Sequence, residues 1–298
     1  MADKELIWRI NECKGIYLAP DGKEYPVIGL KAVNSIAEDK GIAPRQVEIT
    51  ALEQGIVSRR YLRNMGTIGW EGQIKLLRSA VAVVGAGGLG GTTIELLARQ
   101  GIGRIIVIDN DRFSEEDLNR QLLSTEEDLG EYKAIVATRR VKEINSTITV
   151  TSFVEKLTEG NAHKLLKDVQ VVVDGLDNLP SRFAVEEACR DLGIPFVYGA
   201  IAGFSGQLMT IFPQDMGISS IYGIPHNLPE RGIEKATGNP STTPAMVAAW
   251  EVQEVIKIIT GIGKPLRNRL LMLDAREGVV DKIELRGSED DIGHGTIL

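Results

Sequence analysis

Residues 79–110 read SAVAVVGAGGLGGTTIELLARQGIGRIIVIDN. The apolar run 81–84 enters Gly85-Ala86-Gly87-Gly88-Leu89-Gly90, and a helical pattern follows at once through Ile94, Leu97 and Ala98. A second apolar run, 105–108, ends on Asp109, close to the roughly twenty positions past a glycine turn at which an acid can reach a ribose. Strand, glycine turn, helix, strand and acid in this register predict a nucleotide-binding βαβ unit. Glycine is required there because the turn needs unusual backbone angles and because a phosphate can reach amide N–H groups only where no Cβ intervenes. The positive end of the helix adds to that attraction.

Downstream the same alternation continues. The polar stretch 110–121 reads as a loop at the carboxyl edge of a strand, where ligands sit in open α/β sheets. A helix opens after Leu129-Gly130 with Lys133 in its first turn, and Ala134, Ala137, Val141 and Ile144 give it a buried face. A cation in a first turn opposes the helix dipole, a local cost that a bound anion offsets. Strands are predicted at 148–154 and 169–173, the second ending in Asp174-Gly175-Leu176-Asp177-Asn178, and Pro180 starts another helix. The fold class is therefore α/β, a Rossmann-like doubly wound parallel sheet. Further strands at 195–200, 207–212, 269–274 and 279–285 are joined partly by tight turns, which suits antiparallel addition to that sheet. The segment 213–243, rich in Gly, Pro, Ser and Thr, is long enough to be functional, and Thr243-Pro244 starts an apolar helix ended by Gly261.

Upstream, residues 1–58 form an extension in which 28–41 and 44–55 each show a helical face closed by glycine, so a small helical unit is expected. Two such helices are more often plain packing than a DNA-binding pair. The cluster Arg59-Arg60-Tyr61-Leu62-Arg63-Asn64 reads, by itself, as a solvated charged stretch. The division expected is 1–58 extension, 59–286 nucleotide-binding domain and 287–298 flexible tail.

Composition removes several classes of function. The 298 residues are 43% hydrophobic and carry 34 basic against 41 acidic side chains, a net charge of −7 that argues against a nucleic-acid surface. No apolar run is long enough to span a membrane and the first dozen residues are too charged for a signal peptide, so a cytoplasmic protein with no membrane partner is expected. Its two cysteines, Cys13 and Cys189, cannot build a four-thiolate site, so zinc is not expected.

Asp109, Arg120, Lys133 and Asp177 all follow strand ends, and a doubly wound sheet brings such positions together over the nucleotide. Two are cationic, and Asp177 is free to hold a hard cation such as Mg²⁺. That set suits attack by a carboxylate on a triphosphate, where preplaced cations stabilise the departing pyrophosphate. An NAD-dependent oxidoreductase needs a proton donor instead, for which His163, His226 and His294 are the candidates, none with a recognisable partner. A noncatalytic nucleotide-binding scaffold is a third reading.

From Arg60 to about residue 285 the chain resembles the ThiF/MoeB/HesA family of ubiquitin-activating-enzyme-like adenylyltransferases. The resemblance is carried by Arg60-Tyr61-x-Arg63, GAGGLGG at 85–91, Asp109-x-Asp111, Leu118-Asn119-Arg120-Gln121, Gly130-x-x-Lys133 and Asp177-Asn178 with Arg182. Gly199-Ala200, Gly206-Gln207 and WEVQEVIKIITG at 250–261 extend it. It implies ATP with Mg²⁺, and adenylation of the C-terminal glycine carboxylate of a small ubiquitin-like sulfur carrier ending in Gly-Gly, as in thiamine- or molybdopterin-type sulfur transfer. Activation of another carboxylate or peptide end also falls within its range. Gly88, Asp109, Glu116, Asp117, Leu118, Asn119, Arg120, Lys133, Asp177 and Asn178 would contact ATP, Asp177 through the metal. A homodimer is implied, with Arg63 reaching the ATP of the neighbouring subunit. Three departures stand out: Glu116-Asp117-Leu118 replaces the family's usual Ser-Asn-Leu, the zinc-binding CxxC pairs are missing, and 221–244 has no cysteine where many relatives carry one.

Overall fold

A computed structural model of the chain describes residues 4–20, 22–223 and 237–285. His226, His294, residues 224–236 of the long segment and the tail expected at 287–298 lie outside the described residues. At the centre stands β4 (Ala80–Val84), every residue of it buried. It pairs in parallel with β5 (Arg104–Ile108) on one side and β7 (Val171–Asp174) on the other. β6 (Thr149–Phe153) adds beyond β5 and β8 (Phe196–Ala202) beyond β7, both parallel. Three antiparallel strands then complete the eight-stranded sheet: β9 (Ser205–Ile211), β10 (Arg269–Asp274) and β11 (Val279–Glu284).

The pleat sends alternate residues of these strands to opposite faces. Val81, Val83, Ile105 and Val107 pack with α5 (Gly88–Gln100), α6 (Lys133–Ile144) and α10 (Thr242–Thr260). Ala82, Val84, Ile106 and Ile108 pack with α7 (Glu159–Leu166) and α8 (Leu179–Leu192). Both faces being covered explains why the strands read as continuous apolar runs. The long segment 213–243 holds the short helix α9 (Ser219–Tyr222) and leads into α10.

The extension is not purely helical, as its sequence had suggested. Besides α1 (Lys4–Cys13), α2 (Leu30–Lys40) and α3 (Pro44–Glu53) it holds a three-stranded sheet of β1 (Gly15–Leu18), β2 (Glu24–Ile28) and β3 (Val57–Ser58). The cluster 59–64 is solvated only in part, through exposed Arg59 and Arg63. It coils as a 3₁₀ turn with Tyr61 fully buried, followed by α4 (Gly69–Arg78). Buried Glu48 of α3 accepts from Ser58 (2.8 Å) and Thr147 (2.7 Å) and faces Arg60 at 3.7 Å, while Asn145 donates to the Tyr61 hydroxyl at 2.9 Å. Each Glu48 oxygen has a donor, which offsets the cost of an acid at that depth.

Candidate active site

The carboxyl ends of β4, β5 and β7 open into a cleft of about 970 Å³. β4 is the switch point: the chain runs outward through β5 and β6 on one side and then returns to β7 and β8 on the other, and such points leave a crevice between the diverging loops. Gly85 sits at φ +95, and a Cβ there would stand 2.3 Å from the carbonyl oxygen of Gly175. A Cβ on Gly90 would lie 1.9 Å from the Gly85 oxygen. These two glycines therefore let the turn, α5 and the loop after β7 close on one another. Gly87 and Gly88 differ: nothing lies nearer than 3.7 Å and 3.5 Å to a Cβ built there, and both line the cleft in front of the α5 N-terminus. That is room for a phosphate against backbone N–H groups.

Asp109 turns back on the same turn. One oxygen accepts from Ala86 N–H (2.6 Å), the other from Asp111 N–H (2.7 Å). Burial pushes its carboxyl up, and those two N–H groups and the Lys133 charge oppose the shift. Asp111 and Glu116 are exposed on the cleft wall beside it. Across the opening, Arg120 and Lys133 line the cleft, and Asp177 presents an exposed carboxylate from the loop after β7. Asn178 donates to Asp177 at 3.2 Å while its own oxygen caps α8 through Ser181 N–H at 2.9 Å.

Sequence reasoning thus placed Asp109, Asp111, Glu116, Arg120, Lys133, Asp177 and Asn178 in one cleft. Other expected residues lie differently. Gly90 is buried beneath the turn, and Leu118 and Asn119 are not part of the cleft lining; Asn119 instead donates to the carbonyl of Asn239 at 3.3 Å. Arg63 does not line this cleft. It is exposed beside a separate groove of about 300 Å³, shared with Tyr17, Tyr25 and Met65. Asp117, read as a nucleotide contact, does line the cleft but is buried at 5% exposure, with both oxygens taken up by neighbouring side chains.

The cleft floor holds groups to which sequence reasoning assigned no role. Asp174, with no exposure, accepts from Arg182 Nε (2.8 Å) and Leu176 N–H (2.8 Å). Arg182 also donates through Nη2 to the carbonyls of Leu176 (2.7 Å) and Gly199 (3.1 Å), and although burial works against its charge, the adjoining Asp174 carboxylate raises its pKa and keeps it protonated. Gln207 donates to the hydroxyls of Tyr198 (2.7 Å) and Tyr222 (2.5 Å) toward the far end of the opening. The buried acid at the end of the apolar β7 run was the one local signal for Asp174; Arg182 and Gln207 entered only through the resemblance, and Tyr198 had no signal.

Among the described residues no group of three or more His, Cys, Asp or Glu side chains could hold a metal ion, and no helix is long and apolar enough to cross a membrane. A single carboxylate such as Asp177 still suits Mg²⁺, which is bound through one or two carboxylates plus substrate phosphates. The exposed acid, the two cations and the open space over Gly87 and Gly88 fit a metal-bearing triphosphate.

The family profile of the ThiF family matches residues 61–292. The sulfur carrier protein adenylyltransferase of Thermus thermophilus is 38% identical over 235 residues, covering 76% of this chain and 87% of that protein. The SAMP-activating enzyme E1 of Haloferax volcanii is 34% identical over 236 residues, 78% and 86% of the two chains. In fold, the crystal structure of E. coli MccB with ATP superposes with a TM-score of 0.64 at 21% identity over 94% of this chain and 86% of that one. Matched along most of its length in both sequence and fold, the chain belongs to the ThiF family.

Proposed function

We propose that this protein uses ATP with Mg²⁺ to adenylate the C-terminal carboxylate of a small ubiquitin-like sulfur carrier. The observation that carries the reading is the meeting of Arg120, Lys133 and Asp177 in one cleft with the open Gly87-Gly88 helix start. In the reaction a carboxylate oxygen of the carrier attacks the α-phosphorus of ATP, the bond to the bridging oxygen breaks, and pyrophosphate leaves with the electron pair. The amide N–H groups at the α5 start hold phosphate oxygens, and Asp109 is positioned for the ribose. Lys133 and Arg120 meet the charge that grows on the leaving group, so no general base is required. Mg²⁺, held by Asp177, would neutralise phosphate charge.

Arg63 is read as acting in trans. It lies away from its own chain's cleft, which supports a homodimer in which each subunit lends this arginine to the other. Release of the carrier as a free acyl-adenylate, with sulfur supplied by a separate donor, follows from the thiols. The sequence has none between 221 and 244, Cys189 is buried with its thiol pushed well up by desolvation, and Cys13 ends α1. No structural zinc is expected.

The test is ATP–pyrophosphate exchange with a Gly-Gly-ended carrier. Exchange should depend on the carrier, and Lys133→Ala should lower it on the order of a hundredfold or more, as expected for one lost transition-state donor. Arg63→Ala and Asp177→Ala should each be inactive, and mixing them should restore activity through one intact composite site. Saturable NAD binding with no response to ATP refutes the reading, and mutants that exchange subunits without complementing refute the trans role.

A further inference from the structure

Asp117 ends the 3₁₀ turn Glu115–Asp117, and five donors converge on its two oxygens. Oδ2 accepts from Ser114 N–H (3.0 Å) and the Ser114 hydroxyl (3.1 Å) and faces Lys133 Nζ at 3.4 Å. Oδ1 accepts from Gln121 Nε2 and faces Arg120 Nη2 at 3.5 Å. Arg120 and Lys133 come from different elements, the loop after β5 and the first residue of α6. This carboxylate joins them. Lys133 is itself buried at 8% exposure, and Asp117 is the acid in ion-pair range of it. The contact to Gln121 also orients that side chain. With its amide nitrogen on Asp117, its Oε1 is buried without a partner, 3.8 Å from where a Cβ of Gly87 would stand.

An amide at 117 would not serve all five donors in this chain. Its oxygen could serve one set, and its NH₂, though Gln121 could turn its amide to accept from it, would meet Arg120 or Lys133 donor against donor. A full carboxylate is needed to satisfy Ser114, Gln121, Arg120 and Lys133 together.

We propose that Asp117 is the positioning residue of the active cleft: it fixes Lys133, Arg120 and Gln121 in their places before nucleotide arrives, and it competes with the triphosphate for the two cations. This rests on the cleft being the triphosphate site. The consequence is a split. Removing the charge leaves both cations more attractive to ATP in the ground state but no longer held for the transition state, so affinity and turnover move in opposite directions.

The experiment compares wild type, Asp117→Asn and Asp117→Glu by calorimetric titration of ATP without carrier and by carrier-dependent exchange. Asp117→Asn should bind ATP about tenfold more tightly, the scale of one charge-assisted hydrogen bond, and its kcat should fall by about tenfold or more. Asp117→Glu keeps the charge and shifts it by one methylene, so its ATP affinity should stay within about twofold of wild type while kcat falls. Unchanged or weakened ATP binding in Asp117→Asn overturns the proposal, as does an Asp117→Glu enzyme with wild-type kcat. Should Asp117→Asn fail to fold, the Asp117→Glu pattern decides alone. Wild-type protein that does not bind ATP removes the underlying reading of the cleft instead, which the titration distinguishes from a failure of Asp117.

Discussion

Arg182→Met tests the buried pair beneath the cleft. Methionine keeps most of the volume, so the loss is electrostatic rather than a cavity. The change strips a donor from Asp174 Oδ2 and from the carbonyls of Leu176 and Gly199, and leaves a carboxylate with no solvent exposure beside no cation. Breaking one partner of a buried pair costs about 3–5 kcal/mol. With an m-value of about 3 kcal/mol/M, the urea midpoint should fall by roughly 1 to 1.7 M. Adding Asp174→Asn removes the stranded charge while keeping an acceptor for Leu176 N–H. The double mutant should therefore recover a substantial part of the loss, leaving about 1–3 kcal/mol for the carbonyls that lost their donor. Far-UV circular dichroism against urea reads all three proteins. A single-mutant midpoint within about 0.3 M of wild type, which at that slope is about 1 kcal/mol, would refute the reasoning. So would a double mutant no more stable than the single.

Glu251 on α10 is fully buried, accepts from Thr93 at 2.9 Å and has an unpartnered Oε1; burial, then the Asp174 charge, push its carboxyl well above the usual range. A folded-state value raised above the unfolded one favours folding fully below the unfolded value and loses that benefit as pH rises toward the folded value. Glu251→Gln lacks this titration, so wild type should lose stability relative to it between about pH 4.5 and neutrality, as measured by melting temperatures across that range; parallel curves contradict it. Cys189, buried and with its thiol pushed up by desolvation, should resist alkylation at pH 7.5 while exposed Cys13 reacts, as read by mass spectrometry. Modification of Cys189 in the native protein at the rate of Cys13 rules this out.

The local code of the chain carried the nucleotide-binding half. The apolar run of β4, the glycine turn, the face of α5 and the acid after β5 sit within about thirty residues, so their periodicity and spacing expose them without tertiary information. Strand burial on both faces made the other parallel strands readable for the same reason. The extension's sheet was not readable: β3 is two residues long, and Val27 pairs in parallel with Val57 across two helices, which leaves no local alternation. Charged residues divided in the same way. Arg60 and Glu48 look solvated in sequence, yet they meet in a buried network because distant segments supply Thr147 and Asn145. At 117 the sequence showed only an acid where an amide was expected. Its meaning comes from Ser114, Arg120, Gln121 and Lys133 converging on two oxygens, and convergence of donors from separate elements is a property of the folded chain.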